Sequence, residues 1–209
     1  MNRRAMSKLR RIAALALFIP ALALAGCGPA APSADHAPLA GAAIGGPFTL
    51  SDKAGKSVHW DDFKGKWRII YFGYTYCPDA CPADVGVMMR GFARFEAAHP
   101  AEAAKVQPIF VSIDPGRDTP ARVGEFASAF SPRLLGLTGT PEQIATAAKA
   151  FAAYYARGKE TPGGGYLMDH SRVAFLFDPE GRPIEMLPVD KGAAEGPAAV
   201  AAELEKWVR

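Results

Sequence analysis

The chain has 209 residues, of which 49% are hydrophobic and 22% charged. These are the proportions of a folded globular domain and exclude a wholly disordered protein. The formal net charge is +3, but Arg3, Arg4, Lys8, Arg10 and Arg11 stand in the first 26 residues without an acid. Subtracting those five leaves 19 basic against 21 acidic side chains, so the basicity is a feature of the N-terminus and gives no support to a nucleic-acid partner. Three cysteines are too few for a disulfide scaffold.

Residues 1–26 read as a secretory signal: a basic segment to Arg11, then an apolar run Ile12–Leu24 too short to span a bilayer comfortably. The run ends Leu24-Ala25-Gly26-Cys27, which resembles a bacterial lipobox, so Cys27 is expected to carry a lipid after cleavage. Residues 27–45, rich in Pro, Gly and Ala, are expected to form a flexible tether, with His36 a solvated residue within it. Export to an oxidising compartment follows, where the other two cysteines could close a disulfide.

The folded domain is expected over 46–209. Phe48–Leu50 and Ser57–His59 flank a turn at Gly55 and predict an N-terminal hairpin, with His59 on its edge. Trp67–Phe72 is a nearly continuous β-favouring run, as in a buried central strand. It breaks at Gly73 and leads through Cys77 and Cys81 into a helix whose core face is Val85, Met88, Met89, Phe92 and Phe95. His99 ends that helix on the surface.

Val106–Asp114 is a second strand, and Thr119-Pro120 caps a helix to about Phe130. Leu134–Leu137 is a short strand, and Thr140-Pro141-Glu142-Gln143 opens a helix with Ile144, Ala147, Phe151 and Tyr154 or Tyr155 on its apolar face. A glycine loop (163–165) leads to Asp169-His170; Arg172–Phe177 and Ile184–Leu187 then form a hairpin turning at 178–181, and a helix from Pro197 closes the chain. This order around one core predicts an α/β thioredoxin-like sandwich, a central mixed sheet flanked by helices.

The chemistry lies in Cys77 and Cys81. Four apart at a strand–helix junction, they share one face if both are helical, and a helix N-terminus favours the thiolate that binds metal or attacks disulfides. By itself the C-x-x-x-C pair reads more readily as a structural disulfide or two buried thiols than as a metal site. His170, at the mouth of the sheet, adds an imidazole, and two thiolates with one imidazole form a soft site suited to copper. Zinc would want a fourth protein ligand or a catalytic water. Asp114 and Asp118 read first as turn and cap residues, and Asp114 also as a carboxylate that could orient His170.

Four stretches, 71–82 (YFGYTYCPDACP), 111–120 (VSIDPGRDTP), 136–144 (GLTGTPEQI) and 166–171 (YLMDHS), resemble the Sco/SenC family of copper-binding proteins. The likeness runs in order from about 44 to 190. It implies a membrane-tethered thioredoxin-like domain that binds copper, Cu(I) or Cu(II), through Cys77, Cys81 and His170. It also implies delivery of copper to, or preparation of the thiols of, the binuclear copper site in a subunit of cytochrome c oxidase, alongside other periplasmic copper chaperones or thiol reductants. Many relatives look like single-span membrane proteins, whereas this chain reads as a lipoprotein facing the periplasm. The rival reading is an enzyme, a thiol–disulfide oxidoreductase acting on oxidase cysteines through Cys77 and Cys81 without copper transfer. A peroxidase of the same fold has only Thr75, two residues before Cys77, in its favour. His170 separates the readings, because a reductase has little use for a histidine so far along the chain.

Overall fold

A computed structural model describes residues 32–161 and 164–209; the expected signal segment and Cys27 lie outside the described residues. Five strands form the central sheet: β3 (Trp67–Gly73), β4 (Val106–Ser112), β5 (Leu135–Leu137), β8 (Ala174–Phe177) and β9 (Pro183–Leu187). Their order is β5-β4-β3-β8-β9. Strand β4 runs parallel to both β3 and β5, while β8 is antiparallel to β3 and β9. This is the expected mixed sheet, and β3 is its centre.

Burial on both faces explains why β3 is apolar almost throughout. On one face, Tyr71 stacks on Phe110, and Phe110 meets Phe126 of α3 (Pro120–Phe130). Helix α1 (Ala80–Ala98) and the closing helix α5 (Gly192–Trp207) lie close together, with Gly91 of α1 directly beneath Val200 of α5. On the other face, Phe72, Phe151, Trp60, Phe48 and Phe177 form one aromatic cluster. The N-terminal hairpin of β1 (Thr49–Ser51) and β2 (Ser57–His59) contributes Phe48 and Trp60 from its flanks, with Gly55 in its turn at a φ of 75°. Thr119 and Thr140 cap α3 and α4 (Pro141–Ala150) through their side chains, as their sequence context demands. Helix α2 (Pro100–Ala103) is a single turn after His99, which is the C-cap of α1. Among the described residues no helix is long and apolar enough to cross a membrane.

Three local expectations differ from the structure. Helix α4 stops at Ala150 instead of running on to Tyr154: Phe151 turns into the core, Ala152 takes a positive φ of 51°, and Tyr154 is exposed. The stretch after it is not a plain loop but a separate antiparallel ribbon, β6 (Tyr155–Glu160) with β7 (Tyr166–His170). Part of the segment expected to be tether lies against the domain. Ala34–His36 make a 3-10 turn, Ala37 is buried, the Leu39 amide donates to the Ile184 carbonyl, and the Gly45 amide donates to Ala150. Gly45 passes so near Phe177 that a side chain there would collide with the ring.

Candidate metal centre

Strand β3 delivers the chain to the site. Gly73, its last residue, runs beneath Cys81 Sγ and the ring of Tyr71 with no space for a Cβ. The chain then turns over Thr75–Asp79 into α1. Cys77 lies in this turn ahead of the first residue of α1, so it is not on the helix as the four-residue spacing suggested. The sulfurs converge another way: the backbone N–H of Cys81, in the first turn, donates to Cys77 Sγ at 3.3 Å. Cys77 is half-buried and Cys81 fully buried.

The two thiols are electrostatically unequal. Cys77 is drawn down to about 3, first because the Cys81 thiol donates to it; burial opposes this, and bonds from His170 and backbone N–H groups reinforce it. Cys81 is pushed up, because its proton is held by Cys77 and because it is buried. The arrangement favours the thiolate at Cys77 and the thiol at Cys81.

His170 is the last residue of β7. Its Nδ1 lies 3.0 Å from the Ser171 carbonyl, to which it donates, and this turns Nε2 toward the sulfurs. Nε2 is 3.1 Å from Cys81 Sγ. The edges of Tyr71 and Tyr74 box the imidazole, with ring centroids at 6.2 and 5.9 Å. Burial pushes the Tyr74 hydroxyl up to about 12. The ligand atoms of Cys77, Cys81 and His170 all lie within 4.8 Å of one another, the one such cluster of three among the described residues. Metal bonds to sulfur and nitrogen of about 2.0–2.3 Å place two ligands of one ion at most roughly 4.6 Å apart. The cluster therefore needs only small side-chain movements to close on a single soft ion.

The acidic residues have other work. Asp114 does not orient His170: its Oδ1 accepts from the Tyr166 hydroxyl at 2.7 Å and its Oδ2 from Arg117 Nε at 2.5 Å. Arg117 also donates to the Tyr166 carbonyl at 2.8 Å and lies over the rings of Tyr166 and Tyr76. Asp118, also buried, accepts from the backbone N–H and hydroxyl of Thr75 and from the Ser112 hydroxyl. It pins the turn that presents Cys77. Thr75 is thus committed to Asp118, and it accepts from Arg122 Nε as well.

Sequence reasoning missed Asp84 and Arg172. Asp84, three residues after Cys81, is buried and accepts a two-pronged bond from Arg172, two residues after His170, together with the Tyr71 hydroxyl. The one visible signal was an acid interrupting the apolar face of α1, and that does not name its partner. His59 and His99 stay away from the centre, near Thr49 and Glu205 respectively.

Fold and site together define a thioredoxin-like domain with a dithiol–imidazole centre at the end of its central strand. The SCO1/SenC family model matches residues 36–209, and the chain belongs to that family. It is 46% identical over 143 residues to the protein SenC of Rhodobacter capsulatus, covering 68% of this chain and 62% of that one. It is 35% identical over 167 residues to the mitochondrial protein SCO2 of Saccharomyces cerevisiae, covering 79% and 54%. The chain spans about half the length of several relatives it matches. Among solved structures it resembles Arabidopsis thaliana ScoI with copper bound, with a TM-score of 0.68 and 35% identity over 78% of this chain and 96% of that one. Bradyrhizobium japonicum ScoI with copper bound gives 0.65 and 36% over 79% and 99%.

Proposed function

We propose that the protein is a copper metallochaperone that carries a copper ion on Cys77, Cys81 and His170 and delivers it to the binuclear copper site of cytochrome c oxidase. The observation that carries this reading is the imidazole: Nε2 of His170 stands 3.1 Å from Cys81 Sγ, where a plain dithiol enzyme has no use for it. Relatives solved with copper bound support it. The half-exposed Cys77 thiolate meets the ion first, Cys81 gives up its proton to become the second thiolate, and His170 Nε2 completes the set. A soft donor pair holds Cu(I), and the imidazole adds the borderline donor that Cu(II) favours.

A second reading is supported by the inequality of the thiols. A half-exposed thiolate beside a buried thiol is the arrangement of a dithiol reductant. Cys77 would attack an oxidase disulfide, releasing one partner thiolate and forming a mixed disulfide. Cys81 would then displace the second partner sulfur, leaving Cys77–Cys81 oxidised and the partner's two thiols reduced. We place the domain on the periplasmic face of a membrane, tethered through lipid on Cys27 after removal of residues 1–26.

His170→Ala separates the two readings. The chaperone requires Cu(II) binding to fall at least tenfold while thiol titration and disulfide formation stay near wild type. In cells the variant should fail to support oxidase assembly at limiting copper, with partial rescue by added copper. Normal assembly at low copper would leave the reductase reading in its place.

A further inference from the structure

The sheet brings the cysteines to the site but not the histidine. His170 belongs to the β6–β7 ribbon, which is separate from the five-stranded sheet; the chain enters that sheet only at Ala174, opposite Tyr71, and Asp114 and Arg117 hold the far end of the ribbon through Tyr166. Arg172 makes the direct connection from the histidine end of the ribbon to α1. Its Nε donates to Asp84 Oδ2 at 2.9 Å and its Nη2 to Oδ1 at 2.6 Å, across 88 positions of sequence. Asp84 lies one turn beyond Cys81, and residues three apart share a helix face. Its side chain is 2% exposed, whereas that of Arg172 is 48% exposed. The guanidinium therefore reaches in from the rim to a carboxylate fixed in the core.

Asp84 Oδ2, the oxygen bound by Arg172 Nε, also accepts from the Tyr71 hydroxyl at 3.0 Å, and the Tyr71 ring meets the imidazole of His170 edge-on. Asp84 is thus joined to β3 through Tyr71, to α1 through its own backbone and to the histidine segment through Arg172.

We propose that Asp84 and Arg172 are the positioning pair of the metal centre: their two-pronged bond sets His170 Nε2 against Cys81 Sγ. A forked guanidinium on a carboxylate fixes orientation as well as distance, which a point charge does not. The proposal rests on the copper reading for its consequence: a loosened imidazole costs Cu(II) binding most, while two thiolates continue to hold Cu(I).

The test uses Arg172→Lys, which keeps a positive charge against the buried carboxylate but removes the fork. The paired change Asp84→Asn with Arg172→Gln, which exchanges the ion pair for two amides, serves if the lysine variant folds poorly. Three measurements are made on the reduced protein: Cu(II) and Cu(I) affinities by competition titration, the Cu(II) electron paramagnetic resonance spectrum, and amide hydrogen exchange without metal. The expected result is Cu(II) affinity at least tenfold weaker, more than one Cu(II) species, and Cu(I) affinity within threefold of wild type. Exchange of residues 166–173 should speed up at least tenfold, with β3 and β4 unchanged. The pair is overturned if Cu(II) affinity stays within twofold and exchange at 166–173 is unaltered. It is equally overturned if exchange rises across the whole sheet and both copper states weaken together, because that describes a merely stabilising ion pair. If His170→Ala keeps wild-type Cu(II) binding, the copper reading fails instead, and hydrogen exchange at 166–173 alone decides whether the pair positions the histidine.

Discussion

Replacing Asp118 by asparagine tests whether the turn that presents Cys77 is held by one buried carboxylate. In the native protein three donors converge on it: the Thr75 amide at 2.9 Å, the Thr75 hydroxyl at 2.5 Å and the Ser112 hydroxyl at 2.5 Å. Hydrogen bonds to a charged group contribute about 1.5–3 kcal/mol each. The asparagine amide has nearly the same shape, but it has one acceptor oxygen, and its NH2 must face one of the donors. The two hydroxyls can rotate to accept, while the backbone N–H cannot. The net loss is therefore expected to be near one charged bond and not three, about 2–3 kcal/mol. For a domain of this size that corresponds to a fall in melting temperature of roughly 4–12 °C. Urea unfolding of the reduced protein, monitored by tryptophan fluorescence, measures it directly. Thr75→Val, which deletes one hydroxyl and leaves the amide bond to Asp118, should cost only about 1 kcal/mol. If Asp118→Asn changes stability by less than about 0.5 kcal/mol, the level of an ordinary surface substitution, the carboxylate is not the anchor of this turn.

In the reduced, metal-free protein iodoacetamide should label Cys77 well before Cys81, and already at pH 6, as peptide mass mapping would show; preferential labelling of Cys81 would contradict both its burial and the inequality of the pair. Oxidation to the Cys77–Cys81 disulfide should lower copper affinity at least tenfold, and equal copper content in the two forms would remove the pair as ligands. Gly91→Ala should destabilise by about 1–3 kcal/mol, although alanine is usually the better helix former, because its Cβ would stand 2.6 Å from Val200 Cβ; an unchanged urea midpoint would mean that α5 moves aside freely. Cys27→Ala should abolish lipid labelling and membrane retention in cells, and an unchanged membrane fraction would point to an uncleaved helix.

Much of the fold was legible because strong local signals agreed with one another. The apolar run of β3 needs burial on both faces, the threonines at 119 and 140 are caps followed by proline, and the turn at 178–181 leaves few conformations to choose from. The two cysteines and His170 were legible as chemistry, because two thiols and one imidazole make a soft donor set. The β6–β7 ribbon was not. Its first strand, Tyr155–Glu160, alternates weakly and is largely solvated, so it has no buried face to impose a period on the sequence. The roles of Asp84, Asp118 and Arg172 were hidden for another reason: each depends on a partner 88 or 43 positions away. A carboxylate that receives donors across such distances looks, in sequence, like any other turn or helix acid.

The placement of the sulfurs gives the site a front and a back. Cys81 is walled in by the core, while Cys77 stands at the rim beside the exposed ring of Tyr76. Under the copper reading, an incoming sulfur would meet the ion on the half-exposed side that Cys77 and His170 share, away from the buried Cys81. Exchange with a partner would then proceed by the newcomer joining the coordination sphere as a half-exposed ligand lets go, with Cys81 still attached. The ion would pass from one protein to the other without entering water as a free species, and the last bond to break would be that of Cys81, the buried ligand.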